Sequence, residues 1–184
     1  MGQYYAPLIL DKDDRNKVVR WWYSHDFKYN NGKYTYSVGL KLMEHSFIGN
    51  KLVANVEHFL LNNPQPLVWE GDYADNTLFG EMEIPSSEPD EFKISEIHNT
   101  YVVNHEKMEY YKRPAPSKEK LVVNPLPLLT NEGNGRGGGD YHILCDEDEM
   151  LIGSWARNII GLQKRKPGKK YTEIFPTFKV DWDD

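Results

Sequence analysis

The chain has 184 residues, 39% of them apolar and 27% charged, with a net charge of −6 and one cysteine. That length allows one domain, 1–184, with a sizeable core, and the balance is that of a polar globular chain rather than a disordered one. The negative charge argues against a general nucleic-acid partner, the lone Cys145 against an internal disulfide, and no apolar run reaches the ~18 residues of a membrane helix, so a cytoplasmic protein is expected.

The first residues nearly match a myristoylation signal, but Ala6 stands where Ser or Thr is required. No basic start leads into an apolar run of signal-peptide length. Tyr4 to Leu10 then reads as a strand closed by the polar turn Asp11 to Asp14. A second strand begins at Val18 and carries Trp21-Trp22-Tyr23, whose alternation sends Trp22 to one face and its neighbours to the other. One face belongs to a core, and a second packed layer accounts for the other. Asn31-Gly32 lies before the aromatic run Tyr34 to Val38, a strong hairpin signal. Asn50 to Leu61 carries Leu52, Val53, Val56, Phe59 and Leu60 at helical spacing. Asn50 supplies an N-cap, and Asn62-Asn63-Pro64 ends the helix.

Leu67-Val68-Trp69 reads as a strand, and the acidic stretch 76–92, with prolines at 85 and 89, as a loop. Asn104-His105-Glu106 separates the strand candidates 100–103 and 108–111, a second hairpin. The segment 112–118 is a connection, and Leu121 to Val123 a short strand before Pro125 and Pro127. Strands are also expected at 141–144, within 152–162 and within 171–178. The sum is an α+β fold, mainly β, with antiparallel sheets and one principal helix over 50–61.

The densest signal is the run Gly133 to Asp140, with five glycines in the seven residues 133–139 around Arg136. Glycine is costly to order, so a compact domain keeps such a cluster for positive φ or for close approach to the backbone. Gly133, Gly135 and Gly138 match the spacing of the dinucleotide fingerprint, but a strand-like segment follows instead of a helix, and no Lys-Ser/Thr pair completes a phosphate loop. Two readings stand: a mobile surface loop, or an anion-binding turn. In the second, the amides of Gly135, Gly137, Gly138 and Gly139, the Arg136 guanidinium and the orienting Asp140 receive a phosphate-bearing molecule, and Glu44 and His45 contact the rest.

Other constellations have plain alternatives. Glu44-His45-Ser46 combines a carboxylate, an imidazole and a hydroxyl, but neighbours in sequence do not point at one spot, and residues before a helix commonly cap it. Asp72, Asp75 and Asp140 could hold a divalent cation, although an Asp beside Gly also simply makes turns. The six histidines follow no zinc spacing, and neither a metal nor a particular cofactor is assigned.

The N-terminal Met-Gly-Gln-Tyr-Tyr, Lys41 to Ser46 with Gly49-Asn50, Gly71 to Asp75, Gly133 to Tyr141 and Gly153 to Ala156 together resemble a family of bacterial and phage proteins without known activity. Arg157-Asn158 stands where those relatives often carry Gly-Asp. The resemblance implies one integral domain and no mechanism. The expected function is a binding module for an anionic small molecule. The alternatives are an interaction protein of phage or mobile-element origin acting on a host protein, and a carboxylate-metal hydrolase.

Overall fold

A computed structural model of the chain describes residues 3–75, 77–80, 82–133 and 151–178. The first half contains β1 (Tyr5–Leu10), β2 (Val18–Trp21), β3 (Lys28–Asn30), β4 (Thr35–Ser37), α1 (Leu42–His45), α2 (Lys51–Phe59) and β5 (Gln65–Gly71). The second half contains β6 (Tyr101–Asn104), β7 (Glu109–Lys112), α3 (Pro125–Leu129), β8 (Asn131–Glu132), β9 (Ile159–Gln163) and β10 (Thr172–Glu173). Among the described residues strand accounts for 27% and helix for 16%, so the fold is α+β and mainly β.

One sheet of eight strands runs β10-β7-β6-β9-β5-β1-β2, with β8 joined to β5. Most neighbours are antiparallel; β5–β8 and β7–β10 are short parallel pairs. β5 is the hub. One edge pairs residue by residue with β1, while the other takes β9 at Gln65 and Pro66 and β8 at Trp69 and Glu70. The β3–β4 hairpin stands apart as its own two-stranded sheet.

Every residue of β1 is buried, because the sheet is covered on both faces here. Tyr5 and Ile9 join Leu67 and Trp69 beneath α2 in the main core. Ala6, Leu8 and Leu10 join Val68 in a second cluster, onto which Leu78, Phe79 and Met82 pack from the acidic loop. The aromatic alternation follows the same division. Trp22 is fully buried in the main core, whereas Trp21 lies on the second cluster, edge-on to Phe79 at 6.1 Å.

α2 forms where the apolar stripe places it. Asn50 caps it, its side-chain oxygen accepting from Leu52 N at 2.9 Å and Val53 N at 3.2 Å. Leu52, Val53, Val56 and Leu60 are fully buried, and Phe59 is half-buried against Trp22. The helix stops at Phe59, short of the expected Leu61; Asn62 then turns the chain at φ +52°. The turn at Asn31-Gly32 does join a hairpin, but through four residues, not two. The Asn31 side chain accepts from Lys33 N and Tyr34 N, which widens the loop, and Gly32 sits at φ +84°.

Four expectations need correction. A single 3-10 turn at Ser24–Asp26 breaks the aromatic run between β2 and β3. Residues 121–123 make only one bridge, Phe47 to Val123, and the prolines beyond them start α3 instead of ending a strand. A proline at the first helical position costs no hydrogen bond, and Asn124 caps this helix at Leu126 N. In 152–162 only the last residues are strand, and in 171–178 only Thr172–Glu173. The strand expected at 141–144 lies outside the described residues.

Val56→Asp should lower unfolding stability by at least about 3 kcal/mol, since it leaves an unpaired charge in the core. Gly32→Val should cost only about 1–2 kcal/mol, because open space surrounds the new side chain and left-handed backbone strain is the sole penalty. Denaturant melts of the two variants, read by far-ultraviolet circular dichroism, check both values and their order.

Candidate functional site

Of the expected ligand contacts, Gly135 to Gly139 with Arg136, and Asp140, lie outside the described residues. Glu44 and His45 are described: Glu44 is exposed and bonds through one carboxylate oxygen, and His45 is buried and bonds through both ring nitrogens. The Glu44 carboxylate accepts from Leu40 N at 2.8 Å and Lys41 N at 2.9 Å, capping the start of α1. His45 has no solvent exposure. Trp69 Nε1 donates to its Nδ1 at 3.0 Å, which puts the imidazole proton on Nε2, facing Gly39 O at 3.1 Å and Ser24 Oγ at 3.2 Å. A second proton would sit on Nδ1 against the indole N–H. Burial pushes the imidazole pKa down to about 4, against the favourable pull of the Gly39 carbonyl and of Glu44. His45 is thus a neutral core residue, and Glu44 a cap.

The carboxylates reorganise in the same way. Asp72 accepts from Tyr4 N at 3.0 Å, Asp75 is exposed, and no group of three potential metal ligands occurs among the described residues. The acids with unusual surroundings are others. Glu70, fully buried on the second face of β5, accepts from Phe79 N at 2.7 Å, Leu78 N at 2.8 Å and Thr77 Oγ1 at 3.2 Å. Burial raises its pKa, and those bonds oppose the rise. Arg157, at φ +65°, forks onto Glu132 through Nε at 2.8 Å and Nη2 at 2.9 Å, and also reaches Asn16. Gln3 and Tyr5 meet at 2.6 Å and crowd Gly71 and Gly133 so closely that a side chain on either glycine would collide with them. Gln3, Tyr5, Gly71 and Gly133 therefore form one packing cluster at the end of β5.

The concave site lies elsewhere, over α2. Lys51, Ala54 and Asn55 form its floor, spaced so that they share one helix face. Phe27, Tyr29 and Ile48 form one wall; Pro89, Asp90, Phe92 and Ile94 arch over from the acidic loop; His98, Arg113 and Pro116 close the far end. The cavity measures about 590 Å³, inside the range of small-molecule pockets. A second cavity of about 360 Å³ adjoins it, sharing His98, Arg113 and Pro116 and adding Lys112.

The arch is tethered, not loose. Asp90 N donates to Asn55 Oδ1 at 2.7 Å, and Arg20 Nη2 pairs with Asp90 at 3.1 Å. Phe92 stacks on His58 at 4.3 Å, and Ser87 N donates to Trp21 O at 2.8 Å. At the far end, buried Arg113 donates from Nε to Glu57 Oε2 at 2.8 Å, and Asn124 Nδ2 donates to Glu57 Oε1 at 2.8 Å. Burial raises the Glu57 pKa, opposed first by the Arg113 charge and then by these bonds. On the floor, Asn55 is buried and its Nδ2 has no hydrogen-bond partner among the described residues.

Sequence reading overlooked this site. Arg113 stood in what read as a plain connection, and the loop 76–92 carried no motif. Asn55 was the available signal: an amide inside a nine-residue helix disfavours helix formation and so needs a tertiary reason. No protein-family model matches the chain, and no curated protein or solved structure matches it significantly. Among the described residues no helix is long and apolar enough to cross a membrane.

The His45 environment predicts a specific pH response. Its pKa lies near 4 when folded and near 6.5 when unfolded, so the folded state binds the proton less readily. Above pH 6.5 the residue has no effect; between pH 6.5 and 4 it withdraws stability as pH falls, on the order of 3 kcal/mol in total. The His45 imidazole signals in a two-dimensional NMR titration should stay those of the neutral Nε2–H form down to about pH 5.

Proposed function

We propose that the chain is a binding module for a small molecule with an apolar body and an anionic head, held in the cavity over α2. The observation that carries this reading is an apolar chamber of about 590 Å³ next to a more polar one of about 360 Å³, both lined by His98, Arg113 and Pro116. Phe27, Tyr29, Ile48, Phe92 and Ile94 offer the body apolar and aromatic surface. Lys112 and Arg113 offer the head a local excess of positive charge in a chain whose net charge is −6. The Arg113–Glu57 pair holds the guanidinium in place before any ligand arrives. The anionic ligand class expected from the sequence is kept, and its site is moved from Gly135–Asp140 to this cavity.

Two dyes of one shape test the reading. 1-Anilinonaphthalene-8-sulfonate carries a sulfonate that N-phenyl-1-naphthylamine lacks. Both should fluoresce on binding, the sulfonate about ten-fold tighter through a charge-assisted contact. Ala54→Phe fills the floor of the chamber and should weaken both dyes by about ten-fold at an unchanged melting temperature. Absence of dye binding, or binding indifferent to Ala54→Phe, overturns the proposal.

A further inference from the structure

Building on the cavity as a binding site, we infer that its ligand's head is a phosphate monoester rather than a carboxylate, and that Lys112, Arg113 and Lys164 hold it at the polar chamber.

The sheet register brings two basic segments together. Lys112 ends β7 and Arg113 follows it, while Lys164-Arg165 follows β9. β6 lies between them: Tyr101 pairs with Lys112 on one side and with Gln163 on the other. Just before Tyr101, Arg113 N donates to Thr100 O at 2.9 Å, and Lys164 Nζ donates to His98 O at 2.7 Å. His98 lines both chambers, so Lys164 stands at the rim of the polar one. An ammonium has three N–H donors, so one meets that carbonyl and two remain. Lys112 and Arg113 line the chamber itself. Nε of Arg113 holds Glu57, whereas Nη1 and Nη2 have no partner among the described residues and are not fully buried. Pro114 and Pro116 have no N–H to offer, so side chains supply most of the donors along this wall.

Charge decides between head groups. The nearby acids are engaged elsewhere: Glu57 with Arg113 at 2.8 Å, Asp90 with Arg20 at 3.1 Å, and Glu96 with the Lys93 amide at 2.7 Å, facing His58 at 3.6 Å. Lys112, Arg113 and Lys164, less the Glu57 charge, leave about two positive charges at the polar chamber. Lys51, over the Tyr29 ring in the apolar chamber, and Arg165, beyond the rim, add to the excess. A phosphate monoester brings roughly two negative charges at neutral pH and three acceptor oxygens. That matches the charge, and the three cationic side chains supply a donor group for each oxygen. A carboxylate brings one charge and two oxygens, which leaves one of the cations unmatched.

Displacement of N-phenyl-1-naphthylamine by decyl phosphate and by decanoate tests this on the full chain. Decyl phosphate should compete about ten-fold more strongly than decanoate. Lys164→Gln should weaken decyl phosphate about five-fold and decanoate and the neutral dye by less than about two-fold, an outcome that a general loss of structure would not give. Lys112→Gln should lower the preference for decyl phosphate likewise and serves if the Lys164 variant does not fold. Inorganic phosphate carries the charge without the apolar body, so it should not displace the dye at concentrations where decyl phosphate does. Equal or tighter binding of decanoate, decyl phosphate affinity unchanged in both folded lysine variants, or displacement by inorganic phosphate overturns the inference and leaves the binding module standing. Failure of the dye itself to bind wild type removes the binding module, and this inference with it.

Discussion

The buried carboxylate of Glu57 is the constraint on which the rest of this structure depends. It sits on α2 without solvent access and takes two hydrogen bonds, from Arg113 after β7 and from Asn124 before α3. Asn124 in turn caps α3 with its own oxygen, so one acid joins the principal helix, the end of the β6–β7 hairpin and the start of another helix. Such a pair contributes little net stability compared with apolar packing, yet breaking it by removing one partner is expensive. Its effect is therefore specificity of arrangement. This docking of α2 satisfies the charge and places Arg113 at the end of the cavity.

Glu70 shows the other way to bury an acid. Among the described residues no cation hydrogen-bonds it; Arg157 Nη2 stands 3.9 Å away, and backbone amides of Leu78 and Phe79 do the work. Those bonds pin the acidic loop onto the second face of the sheet, where Phe79 and Met82 cover β1. The same loop continues to Pro89, Asp90 and Phe92, the arch over the cavity. Two buried acids on different elements thus place the two walls that matter: Glu57 the far end, and Glu70 the loop that leads to the roof.

The polar groups of the interior differ in how completely they are used. His45 bonds through both ring nitrogens, and Glu44 spends one carboxylate oxygen on two amides. The His45 ring, with both nitrogens engaged, holds the fold together and has no atom left for a ligand. Asn55 is half used: its oxygen is bonded, and its nitrogen has no partner among the described residues.

Periodicity and turn chemistry made much of the fold legible. The stripe from Leu52 to Leu60, the Asn50 cap, the fully apolar β1 and the alternation at Trp21 and Trp22 are properties of neighbouring residues, and each stands as the local pattern implied. Where local signals competed, the sequence misled: proline after a strand-like triplet opened α3, and an Asn side chain widened the β3–β4 turn. The role of Glu44 and His45 was not legible, because chemistry-bearing residues look alike whether they cap a helix, fill a core or meet a ligand. Only the tertiary structure decided that. It brought Trp69 to His45 across 24 positions, Arg113 to Glu57 across 56 and Asp90 to Asn55 across 35. Contacts at such separations leave no periodic trace in a single chain, so the cavity they build came into view only with the fold.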